Sequence, residues 1–368
     1  MNKRNIIIIC SITIIAIISA IYIVTSEVSS DPLLHEKPSE TEGLSIVPTM
    51  QDEITSDSAW VGTFQLVWND LMNEVVKKDI IFDPQEIMAT NLNKQEFTTD
   101  MISDPYYYKK FGLKTLELKK EIEKGIKEKF DQKSDILDLF DWSDEGLNDP
   151  DNPNMDRYFF YVMLYRNFEY KKAFNKLEKG MFGKYSDTDY FGIDDNSTYE
   201  VKEQIEVLYY NFEDDFAILI NTKTNDEVIF YKNPKGNTFK EIYESMNMEA
   251  KNYKGSKVFN SIDNFKAPNI EFNELREYDE FANKPFLTAA GKEVEIVKAV
   301  QTIKFRLNEK GGEIKSEAAI DAKATSAMPD IDKIRNFYVN DTFAIFLREK
   351  GKDIPYFASR IEDITKFQ

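Results

Sequence analysis

Residues 309–330 read EKGGEIKSEAAIDAKATSAMPD, a run of small side chains and alternating charges in a chain that otherwise carries 27 Phe and 19 Tyr. Sorted by parity, the even positions Gly312, Ile314, Ser316, Ala318, Ile320, Ala322, Ala324 and Ser326 are small or apolar. The odd positions Glu313, Lys315, Glu317, Ala319, Asp321, Lys323 and Thr325 are mostly charged. A period of two belongs to a half-buried strand, whose successive side chains point to opposite faces. Ala, Ser, Gly, Asp and Lys are weak strand formers, so no local preference would hold this segment extended by itself. About fifteen residues at ~3.3 Å each span about 50 Å, so the segment reads as a strand that can enter a large existing sheet only where a gap is open. The competing reading is a polar loop or a short helix, because SEAAIDAKATSAM holds many helix formers and its apolar residues partly fit that period.

The opposite end of the chain is apolar. After MNKR, the run NIIIICSITIIAIISAIYIV (5–24) has no charge and is long enough at ~1.5 Å per residue to cross ~30 Å of hydrocarbon. Lys3 and Arg4 precede it and acidic residues follow, which places residues 1–4 on the cytoplasmic side and the main domain outside. The expectation is a single-pass protein of the cell membrane, with a secreted form if cleavage occurs near Ser19-Ala20 or Ser26. Residues 25–58, TSEVSSDPLLHEKPSETEGLSIVPTMQDEITSDS, are rich in Ser, Thr, Glu, Asp and Pro without a sustained apolar period. They are expected to be a disordered tether reaching roughly 30 Å, with the folded domain at 59–368.

Composition removes several function classes. Lys plus Arg total 47 against 65 Asp plus Glu, a formal charge of −18 with no basic block, so nucleic acid is not an expected partner. Cys10 is the only cysteine and His35 the only histidine, and both precede the expected domain. No disulfide framework, thiol nucleophile, Ser-His-Asp triad or His-containing zinc site can be assembled there, and neither a metal nor a cofactor is expected. Carboxylate pairs, Lys, Tyr and Ser-Lys arrangements remain. The acidic stretch Asp141–Asp156 lacks EF-hand spacing and is broken by Pro150 and Pro153, so it reads as a solvated loop. Glu213, Asp214 and Asp215 could supply the two acids of a glycoside hydrolase, although adjacent acids on a hairpin are expected to face water.

Periodicity gives an α+β class. TFQLVWNDLMNEVVKK (63–78) places Phe64, Val67, Trp68, Leu71, Met72 and Val75 on one helical stripe with polar residues opposite. LKTLELKKEIEKGIKEKF (113–130) repeats that period at Leu116, Ile122, Ile126 and Phe130 and should be a surface helix. Strand-forming runs follow: RYFFYVMLYRNFEY, EQIEVLYYNFEDDFAILINTK, DEVIFYKN, EVEIVKAVQTIKFRLNE and TFAIFLRE, several of them apolar on both faces. A helix-rich beginning followed by long strands argues α+β.

The flanks of the opening segment carry a resemblance. VQTIKFRLNEKGGE (300–313) runs a strand into Asn308, Glu309, Gly311 and Glu313, and this resembles the strand and hinge that precede the reactive loop of serpins. FYVNDTFAIFLREKGKDIPYFASRI (337–361) resembles the serpin C-terminus, with Phe337 and Phe343 six apart, AIFLRE ending in Arg, and Phe357, Arg360 and Ile361 matching Phe-x-Gly-Arg-Val. Residues 63–87 look like the first helix leading to the Phe-Ser-Pro-x-Ser-Ile turn. VMLYRNFEYKKAF (162–174) is similar to the Asn-Ala-Ile-Tyr-Phe-Lys-Gly-x-Trp strand, and APNIEF to the later Pro-x-Phe strand. Asp83, Tyr170 and Ser359 depart from the family's Ser, Trp and Gly.

The resemblance implies a large central mixed or antiparallel sheet with surrounding helices, no enzymatic activity, and a reactive loop at about 311–335. Its hinge would be Glu309, Gly311, Gly312, Glu313 and Ile314. Its inserting face would be Ser316, Ala318, Ile320, Ala322 and Ala324, and its scissile bond would lie in the window Thr325, Ser326, Ala327, Met328. The implied partner is an extracellular serine protease, elastase-like or subtilisin-like given the small residues at 324–327, acted on by a monomer. Gly312-Glu313-Ile314-Lys315 stands where the family has Thr or Ser, Glu and then Ala, so a non-inhibitory surface binding protein on the same fold remains open beside the inhibitor, and a carboxylate hydrolase on another fold behind both.

Overall fold

The runs DFAILIN and DEVIFYK are apolar on both faces, and both strands are buried at every position, as strands covered on two sides must be. They lie within a computed structural model that describes residues 43–134, 136–143, 157–312 and 334–368, all of them in the compact unit Pro38–Gln368. In chain order these residues form β1 (Leu44–Ile46), β2 (Asp57–Val61), α1 (Thr63–Asp70), α2 (Ile87–Leu92), β3 (Tyr107–Leu113), α3 (Leu116–Phe130), β4 (Tyr158–Leu164), β5 (Phe168–Glu169), β6 (Asn175–Lys176), β7 (Gly180–Phe182), β8 (Tyr185–Thr188), β9 (Tyr190–Gly192) and α4 (Tyr199–Glu203). There follow β10 (Ile205–Phe212), β11 (Asp215–Asn221), β12 (Asp226–Lys232), α5 (Phe239–Asn252), β13 (Asn264–Pro268), β14 (Ile270–Glu277), β15 (Pro285–Leu287), β16 (Glu293–Glu295), β17 (Val300–Asn308), β18 (Gly311–Gly312), β19 (Asn336–Tyr338), β20 (Phe343–Glu349) and β21 (Phe357–Ile361).

The α+β class holds, and its largest sheet has seven strands in the order β1-β2-β21-β20-β12-β11-β10. It is mixed: β1 runs parallel to β2, and every other neighbour pair is antiparallel. Helix α5 covers it through Ile242, Tyr243 and Met246, with the Tyr243 ring 5.0 Å from that of Phe346.

A second sheet, β14-β17-β18-β5, contains the strand that leads into the opening segment. Strand β17 alternates strictly, burying Gln301, Ile303, Phe305 and Leu307. Phe272 of β14 and Phe305 of β17 both meet Phe357 of β21, at 6.4 and 4.5 Å between ring centroids. These aromatics seat the second sheet on the first, each stabilising the fold by about 1.5–3 kcal/mol through burial. Strands β3 and β4 pair with one another, and Leu118, Ile122 and Ile126 of α3 pack on Phe159 and Tyr161 of β4. Thr115 starts α3 by accepting a hydrogen bond from the Leu118 amide at 3.1 Å. A further four-stranded sheet has the order β19-β13-β9-β6.

Several expectations change. The helix from Thr63 buries Leu66 and Val76, while Val67 and Val75 are only half-buried. Its last turns, Leu71–Val76, are π-helical, and the wider turn rotates the stripe. The polar face is buried too: Gln65 donates to Asn69 at 2.8 Å and to the Leu92 carbonyl at 2.7 Å, and Asn69 donates to the Phe97 carbonyl at 2.9 Å. In α3 the buried residue is Leu118, and Leu116 is 45% exposed.

Residues 44–58, assigned above to the tether, belong to the folded body. β1 pairs with β2, the Trp60 indole donates to the Pro48 carbonyl at 3.3 Å, and buried Asp57 accepts from the amides of Glu362 and Asp363 and from Lys366 at 2.7, 3.0 and 2.7 Å. The short apolar patch Leu44–Val47 is enough to add an edge strand although the surrounding composition is polar. The expected membrane segment 5–24, Cys10 and His35 lie outside the described residues, among which no helix is long and apolar enough to cross a membrane. Most of the acidic stretch, 144–156, also lies outside them.

Candidate functional site: the hinge and its receiving edge

Leu307 and Asn308 of β17 face Gly312 and Gly311 of β18 across a tight turn at Glu309-Lys310. On its other side β18 pairs with β5, Gly311 with Glu169 and Gly312 with Phe168. Both glycines are required by close approach. Gly311 has φ +142°, and a Cβ there would stand 2.2 Å from the Phe168 carbonyl oxygen; one on Gly312 would stand 2.4 Å from the Phe168 ring. The turn is held from behind. The Tyr170 amide donates to the Lys310 carbonyl at 2.9 Å, the Phe174 amide to the Glu309 carbonyl at 2.8 Å, and the Lys310 amide to Asn308 Oδ1 at 2.9 Å. Glu309 also lies 3.7 Å from Lys176.

Strand β18 is therefore a two-residue wedge between the nine-residue β17 and the two-residue β5. Among the described residues, β17 pairs with β14 and β18, and β4 pairs with β3; β17 and β4 do not pair with each other. Gly312 stands opposite Leu307 and Phe168, both fully buried. Cross-strand partners share a face, so Gly312 is on the core side and Gly311 on the outer side.

The structure thus brings together Glu309, Gly311 and Gly312 of the expected hinge. Glu313 and Ile314, the inserting face Ser316, Ala318, Ile320, Ala322 and Ala324, and the window Thr325, Ser326, Ala327 and Met328 lie outside the described residues. Sequence reasoning missed the receiving side, Phe168, Glu169, Tyr170 and Phe174. Nothing local marks them, since the buried residues of β4, Phe159 and Tyr161, are of the other parity from Phe168. Tyr170, in place of the family's Trp, is fully buried against Phe174 at 4.8 Å, and burial pushes its hydroxyl well above the usual tyrosine range.

The acids considered for hydrolysis do not face one another as a free pair. Asp215, expected in water, is only 8% exposed and accepts from Tyr209, Asn211 and Lys235 at 2.9, 3.1 and 3.2 Å. Asp214 pairs with Lys232 at 2.7 Å, and the Glu213 carbonyl accepts from the same lysine. Hairpin closure thus engages the Asp214 and Asp215 carboxylates in structure, while Glu213 and Asp214 remain exposed as expected. Among the described residues no group of three or more His, Cys, Asp or Glu could hold a metal. A cavity of about 310 Å³ lies beside α5, lined by Trp60, Phe97, Tyr243, Gln65 and Asn91, with the Lys240–Glu96 pair, 2.9 Å apart, on its wall.

No family model matches the chain, and no curated protein matches it. Among solved structures it is similar to Serpin48 of the insect Tenebrio molitor, with 14% identity over 84% of this chain and 92% of that one and a TM-score of 0.44. It is also similar to thyroxine-binding globulin in complex with thyroxine (10% identity, 83% and 92% covered, TM-score 0.41) and to human thyroxine-binding globulin (10%, 80% and 94%, 0.39).

Proposed function

We propose that the chain is a serpin-like protease inhibitor whose loop, about 311–335, enters as a new strand between β17 and β4–β5 after a protease has cut it. One observation carries this reading: β18 is paired on both sides, with Gly312 on the core face. Continued in the same register, Ser316 stands opposite Ile303 and beside Leu164, and Ala318 opposite Gln301 and beside Val162. Every even residue then falls on the buried side, where the segment is small or apolar, and the mostly charged odd residues fall outside. Ile314 comes opposite Phe305 and beside Arg166, the tightest point of the path.

The chemistry belongs to the protease. Its serine oxygen attacks the carbonyl carbon of a bond in the window Thr325–Met328, the peptide C–N bond breaks, and the new amine leaves on the C-terminal fragment. Cleavage after Met328 is disfavoured because Pro329 follows. Water would hydrolyse the remaining ester, so inhibition requires insertion to be faster, as strand addition within one chain. The reading places the domain outside the cell, tethered by 5–24 or secreted, against elastase-like or subtilisin-like enzymes.

Ala318→Asp should abolish covalent complexes with such proteases while leaving uncut stability unchanged, because the inserted form alone would bury an unpaired charge. Denaturing gels of chain mixed with subtilisin and elastase check this. Complete loop cleavage with no complex, in wild type, would overturn the inhibitor reading.

A non-inhibitory binding protein on the same fold is the second reading, favoured by the aromatic-walled cavity beside α5. It predicts that a cut loop leaves the Tm where it was, whereas insertion raises it.

A further inference from the structure

Asp226 and Glu349 are direct partners across β12 and β20, and both side chains are buried. Like charges set opposite one another in a sheet repel, and burial removes the water that would screen them. The cation that makes them tolerable comes from outside that sheet. Arg166 is 0% exposed, places Nη2 2.6 Å from Asp226 Oδ1, and donates from Nη1 to Glu349 Oε1. Remaining acceptor sites are filled: Tyr356 and Thr224 hydroxyls donate to Asp226 at 2.8 Å each, and the Ser103 amide and hydroxyl donate to Glu349 at 3.0 and 2.7 Å. The guanidinium lies between the rings of Tyr106 and Tyr356, 3.8 and 4.6 Å from their centroids. A planar fork that reaches two carboxylates and stacks on two rings is a role for Arg; a Lys ammonium could satisfy only part of it.

Arg166 sits in the interval between β4, which ends at Leu164, and β5, which begins at Phe168. It is two residues from the side chain that covers Gly312. Ser103 and Tyr106 lead directly into β3, so one ion cluster grips both the receiving strand and its neighbour.

We propose that Arg166 is a positioning residue: with Asp226 and Glu349 it staples the receiving strand to the seven-stranded sheet immediately below the hinge, and so holds Phe168 where β18 can pair. Its bearing on loop insertion rests on the inhibitor reading, while the staple itself does not.

Arg166→Met alone would leave two buried carboxylates face to face and is expected to unfold the domain. The triple variant R166M/D226N/E349Q removes all three charges together. In the full chain, hydrogen exchange followed by mass spectrometry should show amides of 164–170 and 308–312 exchanging about tenfold faster or more in the triple variant, with β11 unchanged. Glu349→Gln, which keeps the Arg166–Asp226 pair, should show the same local pattern more weakly, and it serves if the triple variant does not fold. Exchange that rises uniformly, β11 included, or does not rise at 164–170 and 308–312, overturns the proposal. Neither result depends on a protease, so a wild-type chain that forms no covalent complex would sink the inhibitor reading and leave the staple standing.

Discussion

Strands β12 and β17 are comparable in length and face opposite circumstances. β12 is buried at every position and paired along its length on both sides, with β11 and with β20. Among the described residues, β17 buries alternate positions, pairs with β14 over Val300–Leu307, and meets β18 through two residues. The first has both neighbours along its length; on the inhibitor reading, the second borders the place where the cut loop would be added. Apolar side chains on both faces commit a strand to the interior, whereas strict alternation beside a glycine pair leaves its edge available.

The largest effect that would break this contrast is in the seven-stranded sheet. Phe230→Ala removes a fully buried ring that neighbours Phe265 and Phe343, and is expected to cost about 3–5 kcal/mol in urea unfolding. A cost near zero would mean that β12 is not the rigid member of the pair. Next comes Gly311→Ala. The φ of +142° and the approach to Phe168 are incompatible with a Cβ, so about 1–3 kcal/mol should be lost, with faster exchange confined to the hinge. If alanine is tolerated, β18 is not pinned between its neighbours.

The smallest effect is a pH dependence where the two sheets meet. Burial works to raise the Glu349 carboxyl, but Arg166 and the Ser103 donors outweigh it and hold the group below its usual 4.5. A depressed carboxyl adds stability that is present above pH 4.5 and is lost as pH falls through the folded value. The stability gap between wild type and Glu349→Gln should therefore be widest near neutrality and close on acidification. Asp226 shifts the other way, since burial there outweighs Arg166, which is why the comparison is made against a Glu349 variant and not against pH alone. A gap that widens in acid would contradict the assignment.

Much of the large sheet was legible in the sequence, because the cores of Asp215–Asn221, Asp226–Lys232 and Phe343–Glu349 are apolar on both faces and admit few other readings. The hinge was legible at Gly311 and Gly312, where glycines follow an alternating strand. The receiving edge was not, since Phe168 gains its meaning only when its ring lies over Gly312. Arg166 was visible as a charge inside VMLYRNF, but its acids lie 60 and 183 positions further on, and nothing local points to them. The edge strand Leu44–Ile46 was hidden by its polar surroundings, and Asp215 by the ordinary tendency of hairpin acids to be solvated.

Strands β20 and β21 occupy the middle of the seven-stranded sheet yet follow all its other strands in the chain. Without Phe343–Ile361, β2 has no route to β12, and the Asp57 clasp on Glu362, Asp363 and Lys366 cannot close. A ribosome must therefore pass Ile361 before the principal layer can join, and until then the nascent chain carries two unmatched half-sheets, β1-β2 and β12-β11-β10.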